Sequence, residues 1–178
     1  MNTFSRIENK LLAKTSLLIN SLRGELKLPN KPTSISFVCT GNICRSAYAE
    51  GKLKSLLGGE LEKGGLKICS AGLDTTPGKP ANAEAIKVAL ARGIDLKAHK
   101  TTSFEADSES LVFCMEPWQK RAARSLAKNQ PVHLLSSLNK QCPFVIGDPN
   151  GKSELVFNDC FDNIDFCLES LVGLLREK

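Results

Sequence analysis

The chain has 178 residues, 42% of them hydrophobic and 24% charged, which suits one globular domain with or without an appendage and excludes a disordered or fibrous chain. Its net charge of +5 is concentrated in residues 1–33, where Arg6, Lys10, Lys14, Arg23, Lys27 and Lys31 face only Glu8 and Glu25. The remainder is almost neutral, and Trp118 and Tyr48 are the single members of their types, so a basic, aromatic nucleic-acid surface is not expected.

Residues 3–26 read as an amphipathic helix, with Phe4, Ile7, Leu11, Leu18 and Leu22 at three-or-four spacing. Pro29 and Pro32 end it in a short connector. The expected organisation is therefore an N-terminal helical extension and linker over residues 1–33 and a globular domain over residues 34–178. Packing or self-association is the first reading of the extension, and contact with a membrane surface the second.

From Ile35 the texture changes. Ile35–Cys39 predicts a strand, followed by a loop and a helix from about Ser46. Leu66–Ser70 predicts a second strand, and Ala81–Arg92 a helix closed by Gly93. Leu111–Met115 predicts a third strand that leads into a helix from Pro117 to about Lys128. Val132–Leu135 predicts a fourth strand. A last helix spans Ser153–Arg176, with Leu155, Cys160, Ile164, Cys167, Leu168 and Leu171 on its buried stripe. Alternating strands and helices imply an α/β fold of three layers, a four-stranded parallel sheet flanked by helices, with the N-terminal helix as an addition.

Seven cysteines, two histidines (His99 and His133) and no Cys-x-x-Cys pair read as thiols in a reducing, cytoplasmic setting, with no metal site and no cofactor. No apolar run approaches the roughly 20 residues that cross a bilayer, and none has the layout of a secretory signal.

Val38-Cys39-Thr40-Gly41-Asn42-Ile43-Cys44-Arg45-Ser46 joins the first strand to its helix, where an α/β fold gathers ligands. Backbone N–H groups and the helix dipole make such a loop an anion cradle, and its positive field favours a thiolate. Gly41 lets the loop curl, Asn42 tolerates a left-handed backbone, and Arg45 offers a planar fork to two phosphate oxygens. Ser46 can donate a hydrogen bond to the Cys39 thiolate.

This stretch resembles the signature of the low-molecular-weight protein tyrosine phosphatases, in their bacterial branch. The resemblance extends over residues 34–176 and takes in Ser70-Ala-Gly-Leu73, Gly93-Ile-Asp-Leu-Lys-Ala-His99, Cys114-Met115 and Asp148-Pro149. It implies metal-independent hydrolysis of phosphotyrosine in proteins, with a phosphotyrosyl protein as substrate and a tyrosine kinase as counterpart. Cys39 is then the nucleophile that forms a phosphocysteine, and Asp148 the general acid. Arg45 and the amides of Thr40, Gly41, Asn42, Ile43, Cys44 and Arg45 hold the phosphoryl oxygens, with Ser46 beside the thiolate. Ser70 and His99 match a polar network that braces Asn42 and Ser46. Cys44 matches a cysteine that in many relatives forms a reversible disulfide with the nucleophile, and burial as a small core residue is its other reading.

Two features depart from that pattern. The aromatic walls that often line the phosphotyrosine slot are replaced by Thr75, Thr76 and Asn150. Ile43 occupies the position where the related protein arginine phosphatases carry threonine, and so favours an aromatic ring. Thioredoxin-coupled arsenate reductases need two further cysteines in relay, and residues 115–127 contain none. A non-catalytic phosphate-binding module is the remaining alternative.

Overall fold

The structure, a computed structural model, describes residues 26, 32–58, 65–105, 110–127 and 130–177. The N-terminal helix expected over residues 3–26 lies outside them, apart from Leu26, which packs against the main apolar core.

Four parallel strands form one sheet: β1 (Ser34–Cys39), β2 (Lys67–Gly72), β3 (Ser110–Cys114) and β4 (Val132–Leu134), in the order β2-β1-β3-β4. Among the described residues, four helices join and cover them: α1 (Arg45–Leu57), α2 (Ala83–Ala91), α3 (Pro117–Leu126) and α4 (Glu154–Arg176), with a 3₁₀ turn over Leu135–Leu138. All six residues of β1 are buried, as expected of a central strand covered on both faces.

Alternation along the strands divides the core in two. Ile35, Phe37 and Cys39, with Leu111 and Phe113, face the larger cluster built with α1, α2 and α4. Val38, Val112, Cys114 and Val132 face a smaller cluster closed by Ala123 and Ala127. Between α1 and α4, the Tyr48 and Phe161 rings stack at 3.8 Å between centroids. The stripe of α4 is Phe157, Cys160, Phe161, Ile164, Cys167, Leu168 and Leu171. Leu155 is a correction: it is 70% exposed, because it falls on the solvent side of the first turn, where Phe157 turns inward.

The strand order places the site. The chain leaves β1 for β2 on one side and crosses to β3 on the other, so the loops after all three strands converge at their carboxyl ends. The backbone after β2 runs alongside the loop after β1, with Leu73 and Asp74 N–H donating to the Cys39 and Thr40 carbonyls at 3.0 and 2.9 Å. Gly72 permits that approach, since a Cβ there would sit 2.8 Å from the Thr40 oxygen.

Candidate active site

Cys39, the last residue of β1, is buried with its sulfur at the mouth of the loop. The Asn42 N–H donates to Cys39 Sγ at 3.3 Å, and Ser46 Oγ lies 3.0 Å from it. Helix α1 begins at Arg45 with neither a side-chain cap nor an acidic residue in its first turn. Its leading amides are thus left to the loop, which is the electrostatic requirement of an anion site.

Asn42 holds the loop open. It is the one non-glycine residue with positive φ (55°) among the described residues, and it is fully buried. Its Nδ2 donates to Ser46 Oγ and Ser70 Oγ, both at 2.9 Å, and its Oδ1 accepts the Thr102 N–H at 2.9 Å. Its carbonyl lies 2.7 Å from His99 Nε2. Ser70 in turn donates to Glu50. Asn42, Ser46, Ser70 and His99 therefore form one connected network around the sulfur, which fixes the loop through side chains from three segments.

Arg45 is 1% exposed, a buried charge that must be compensated. Its Nη1 donates to Glu116 Oε1 at 2.6 Å and to the Ile146 carbonyl at 3.0 Å, and its Nη2 meets Asp148 Oδ2 at 2.9 Å. Burial opposes the guanidinium charge, but the Glu116 hydrogen bond and the fields of Cys39, Asp148 and Glu116 outweigh it and hold the pKa above its ordinary value. Arg45 Nε is buried and has no hydrogen-bond partner among the described residues, which leaves a donor for an anion.

Cys39, Thr40, Gly41, Ile43, Cys44, Arg45, Asp148 and Asn150 line a cavity of about 120 Å³. An adjoining slot of about 320 Å³ is lined by Gly41, Ile43, Asp74, Thr75, Thr76 and Lys79. The Thr75 hydroxyl donates to the Gly41 carbonyl at 2.9 Å, tying that wall to the loop. Cys44 is buried beside Cys39; burial foremost, then the charge of Asp148, pushes its thiol well above the ordinary range.

The sequence-predicted residues thus come together around one sulfur. Glu116, Gln119, Glu50 and Thr102 were not foreseen. Glu116 lies two residues past the end of β3 and 71 positions from Arg45 in the chain, a separation that hid the pair. Gln119 donates to Thr40 Oγ1 at 3.2 Å and accepts the Met115 and Glu116 N–H groups, coupling the start of α3 to the loop. Its place at the third position of a Pro-led helix was the available signal.

A buried thiol in the loop that opens α1, with an arginine and a carboxylate lining the same cavity, is the kind of site that cysteine-dependent phosphatases use. The comparisons narrow that class. The family described as low molecular weight phosphotyrosine protein phosphatase matches residues 34–178, and the chain belongs to it. It is 31% identical over 148 residues to a probable low molecular weight protein-tyrosine-phosphatase, EpsP, of Ralstonia solanacearum, covering 80% of this chain and 96% of that one. The tyrosine phosphatase amsI of Erwinia amylovora superposes with a TM-score of 0.70 at 29% identity, over 79% of this chain and 91% of that one. The YwlE arginine phosphatase (YwlE is a Bacillus subtilis protein) superposes with a TM-score of 0.72 at 27% identity, over 82% and 97%. Staphylococcal arsenate reductases are also among its relatives.

Proposed function

We propose that this enzyme hydrolyses phosphotyrosine in proteins through a phosphocysteine on Cys39. The observation that carries the reading is the position of Cys39 Sγ, 3.3 Å from the Asn42 N–H and 3.0 Å from Ser46 Oγ, inside a cavity walled by Arg45 and Asp148. Cys39 attacks phosphorus in line while Arg45 and the amides of residues 40–45 take the three equatorial oxygens. Asp148 gives its proton to the departing phenolic oxygen, then takes one from the water that cleaves the phosphocysteine. Ser46 steadies the thiolate as leaving group, and Ser70 and His99 act by holding Asn42. Positive charge comes from Arg45, so turnover should persist in EDTA.

Ile43 beside the cavity favours an aromatic ring, whereas Asp74, Thr75 and Thr76 make the rest of the slot polar. That polar wall supports protein arginine phosphatase as a second reading. Arsenate reduction is disfavoured because Cys114 is fully buried and residues 115–127 hold no relay cysteine. The test is turnover of a phosphotyrosyl and a phosphoarginyl peptide in EDTA, with Cys39→Ser as control. Phosphotyrosine preference supports the reading; phosphoarginine preference supports the second; silence on both contradicts each.

No described helix is long and apolar enough to cross a membrane, and the thiol content suits a cytoplasmic enzyme that opposes a tyrosine kinase. Residues 34–178 form the catalytic domain, and residues 1–33 an extension that serves self-association first and membrane-surface contact second. Cys44 traps an oxidised Cys39 as a disulfide; peroxide inactivation that stays fully reversible in Cys44→Ala would contradict this role.

A further inference from the structure

We infer that Cys142 and Cys167 are a second redox site, a thiol pair that closes to a disulfide and staples the loop before Asp148 to α4. Their sulfurs are 3.3 Å apart although the residues lie 25 positions apart in the chain, and both side chains are buried. Neither lines the cavity around Cys39, so the pair can react without consuming the nucleophile.

The contact is fixed from both sides. The Cys142 N–H donates to the Asn139 carbonyl at 3.1 Å, and the Gln141 N–H to Asn139 Oδ1 at 2.9 Å, which forms a tight turn. Asn139 Nδ2 reaches Ser170 Oγ on α4 at 3.3 Å, and Cys142 Sγ lies 3.6 Å from the Asn163 carbonyl of the same helix. Cys167 projects from the inward stripe of α4. To bond, the sulfurs must close from 3.3 Å to about 2.05 Å, a movement within reach of side-chain rotation.

The co-reactant is a peroxide. The Cys142 thiolate attacks one peroxide oxygen and becomes a sulfenic acid, and the other oxygen leaves as water once protonated. The Cys167 sulfur then displaces the sulfenic hydroxyl as a second water. Two thiols lose two electrons and one hydrogen peroxide is reduced to two waters. The stapled loop continues into Ile146, whose carbonyl accepts from Arg45 and whose N–H donates to Met115, and then into Asp148. Oxidation therefore reinforces the segment that carries two partners of Arg45.

The test treats the reduced full chain with hydrogen peroxide, blocks remaining thiols with N-ethylmaleimide and cleaves before aspartates. Asp162 and Asp165 separate Cys160 from Cys167 in that digest, and fragmentation of the linked peptides separates Cys142 from Cys114, which share residues 107–147. The expected product is a peptide pair joined through Cys142 and Cys167 that a thiol reductant releases. The oxidised protein should also melt several degrees higher than the reduced one, a gain missing in Cys142→Ala. Recovery of both thiols alkylated, linkage of either to another cysteine, or a linked pair with no rise in Tm would overturn the proposal. The readouts are covalent and thermal, so they are independent of the phosphatase reading.

Discussion

Asp148 Oδ2 lies 2.9 Å from Arg45 Nη2, so the candidate proton donor and the candidate phosphate anchor are each other's partners. Asp148 is 46% exposed while Arg45 is buried, which makes the carboxylate the movable half of the pair. A phosphate entering the loop competes for the same guanidinium edge. In the proposed mechanism its binding exchanges one partner of Arg45 for another and frees Asp148 for the leaving oxygen. Asp148→Ala should therefore tighten inorganic phosphate binding several-fold while lowering kcat by about 10²- to 10⁴-fold on phosphotyrosyl peptide. The loss should shrink for aryl phosphates whose phenols leave without a proton. Phosphate inhibition constants and a leaving-group series measure both effects.

Glu116 supports Arg45 from the other side, at 2.6 Å. Because Arg45 is buried, loss of that carboxylate leaves a less compensated guanidinium that reorients toward Asp148 and Ile146. Glu116→Gln should lower kcat/KM by about 10-fold or more, while circular dichroism shows a folded protein. Arg45→Lys should be worse, since an ammonium cannot span two phosphate oxygens. Equal activity of Glu116→Gln and wild type would contradict this positioning role.

Asn42 combines a left-handed backbone with hydrogen bonds to five other residues, Cys39, Ser46, Ser70, His99 and Thr102. Asn42→Gly keeps the backbone conformation and loses the side-chain bridges, whereas Asn42→Ala loses both. The alanine variant should be less stable than the glycine variant by about 1–2 kcal/mol, with both impaired in turnover. Urea unfolding of the two variants side by side gives the difference.

Much of this arrangement was legible in the sequence because its parts are local. The β1 run, the loop glycine and asparagine, and the arginine at the start of α1 are contiguous, so their relation follows from strand, turn and helix geometry alone. Asp148 became readable only through the family resemblance, since an Asp-Pro by itself is a turn. Glu116 and Gln119 could not be paired with Arg45 and Thr40 from the sequence, because only the sheet order brings the end of β3 beside the end of β1. Leu155 failed for a similar reason: helical spacing defines a stripe, but the packing of the first turn against its neighbours decides where that stripe begins.

The polar slot yields a gain-of-function prediction. Asn150 lines the cavity, and its Oδ1 only accepts from Asn82 Nδ2 at the exposed rim, at 3.0 Å. Asn150→Tyr should restore an aromatic wall and lower KM for a phosphotyrosyl peptide several-fold, with phosphate inhibition unchanged. A KM that rises or stays constant would show that the ring of the substrate does not lie against this wall.

Alkaline stability should report the buried thiols. Burial, the leading cause, pushes Cys114 and Cys160 up to about 12 from 9.0. An unfolded thiol loses its proton near 9.0 and the native one near 12, so between those values the native state holds more protons. Each thiol's contribution to stability is complete below the lower value and is lost as pH rises to the upper one, at up to about 1.4 kcal/mol per pH unit. Cys114→Ala should show a flatter decline in urea-unfolding free energy across this window. Parallel curves for variant and wild type would contradict the assignment.

The most direct test of the account is to trap the covalent intermediate. Asp148→Ala, mixed with an aryl phosphate whose phenol needs no proton to leave and then quenched in acid, should carry one phosphoryl group on the peptide containing Cys39. The same treatment of the Asp148→Ala, Cys39→Ser double variant should leave that peptide without a thiol-bound phosphoryl group. Turnover with no phosphorylated Cys39, or a phosphoryl group on another residue, would contradict the proposed chemistry.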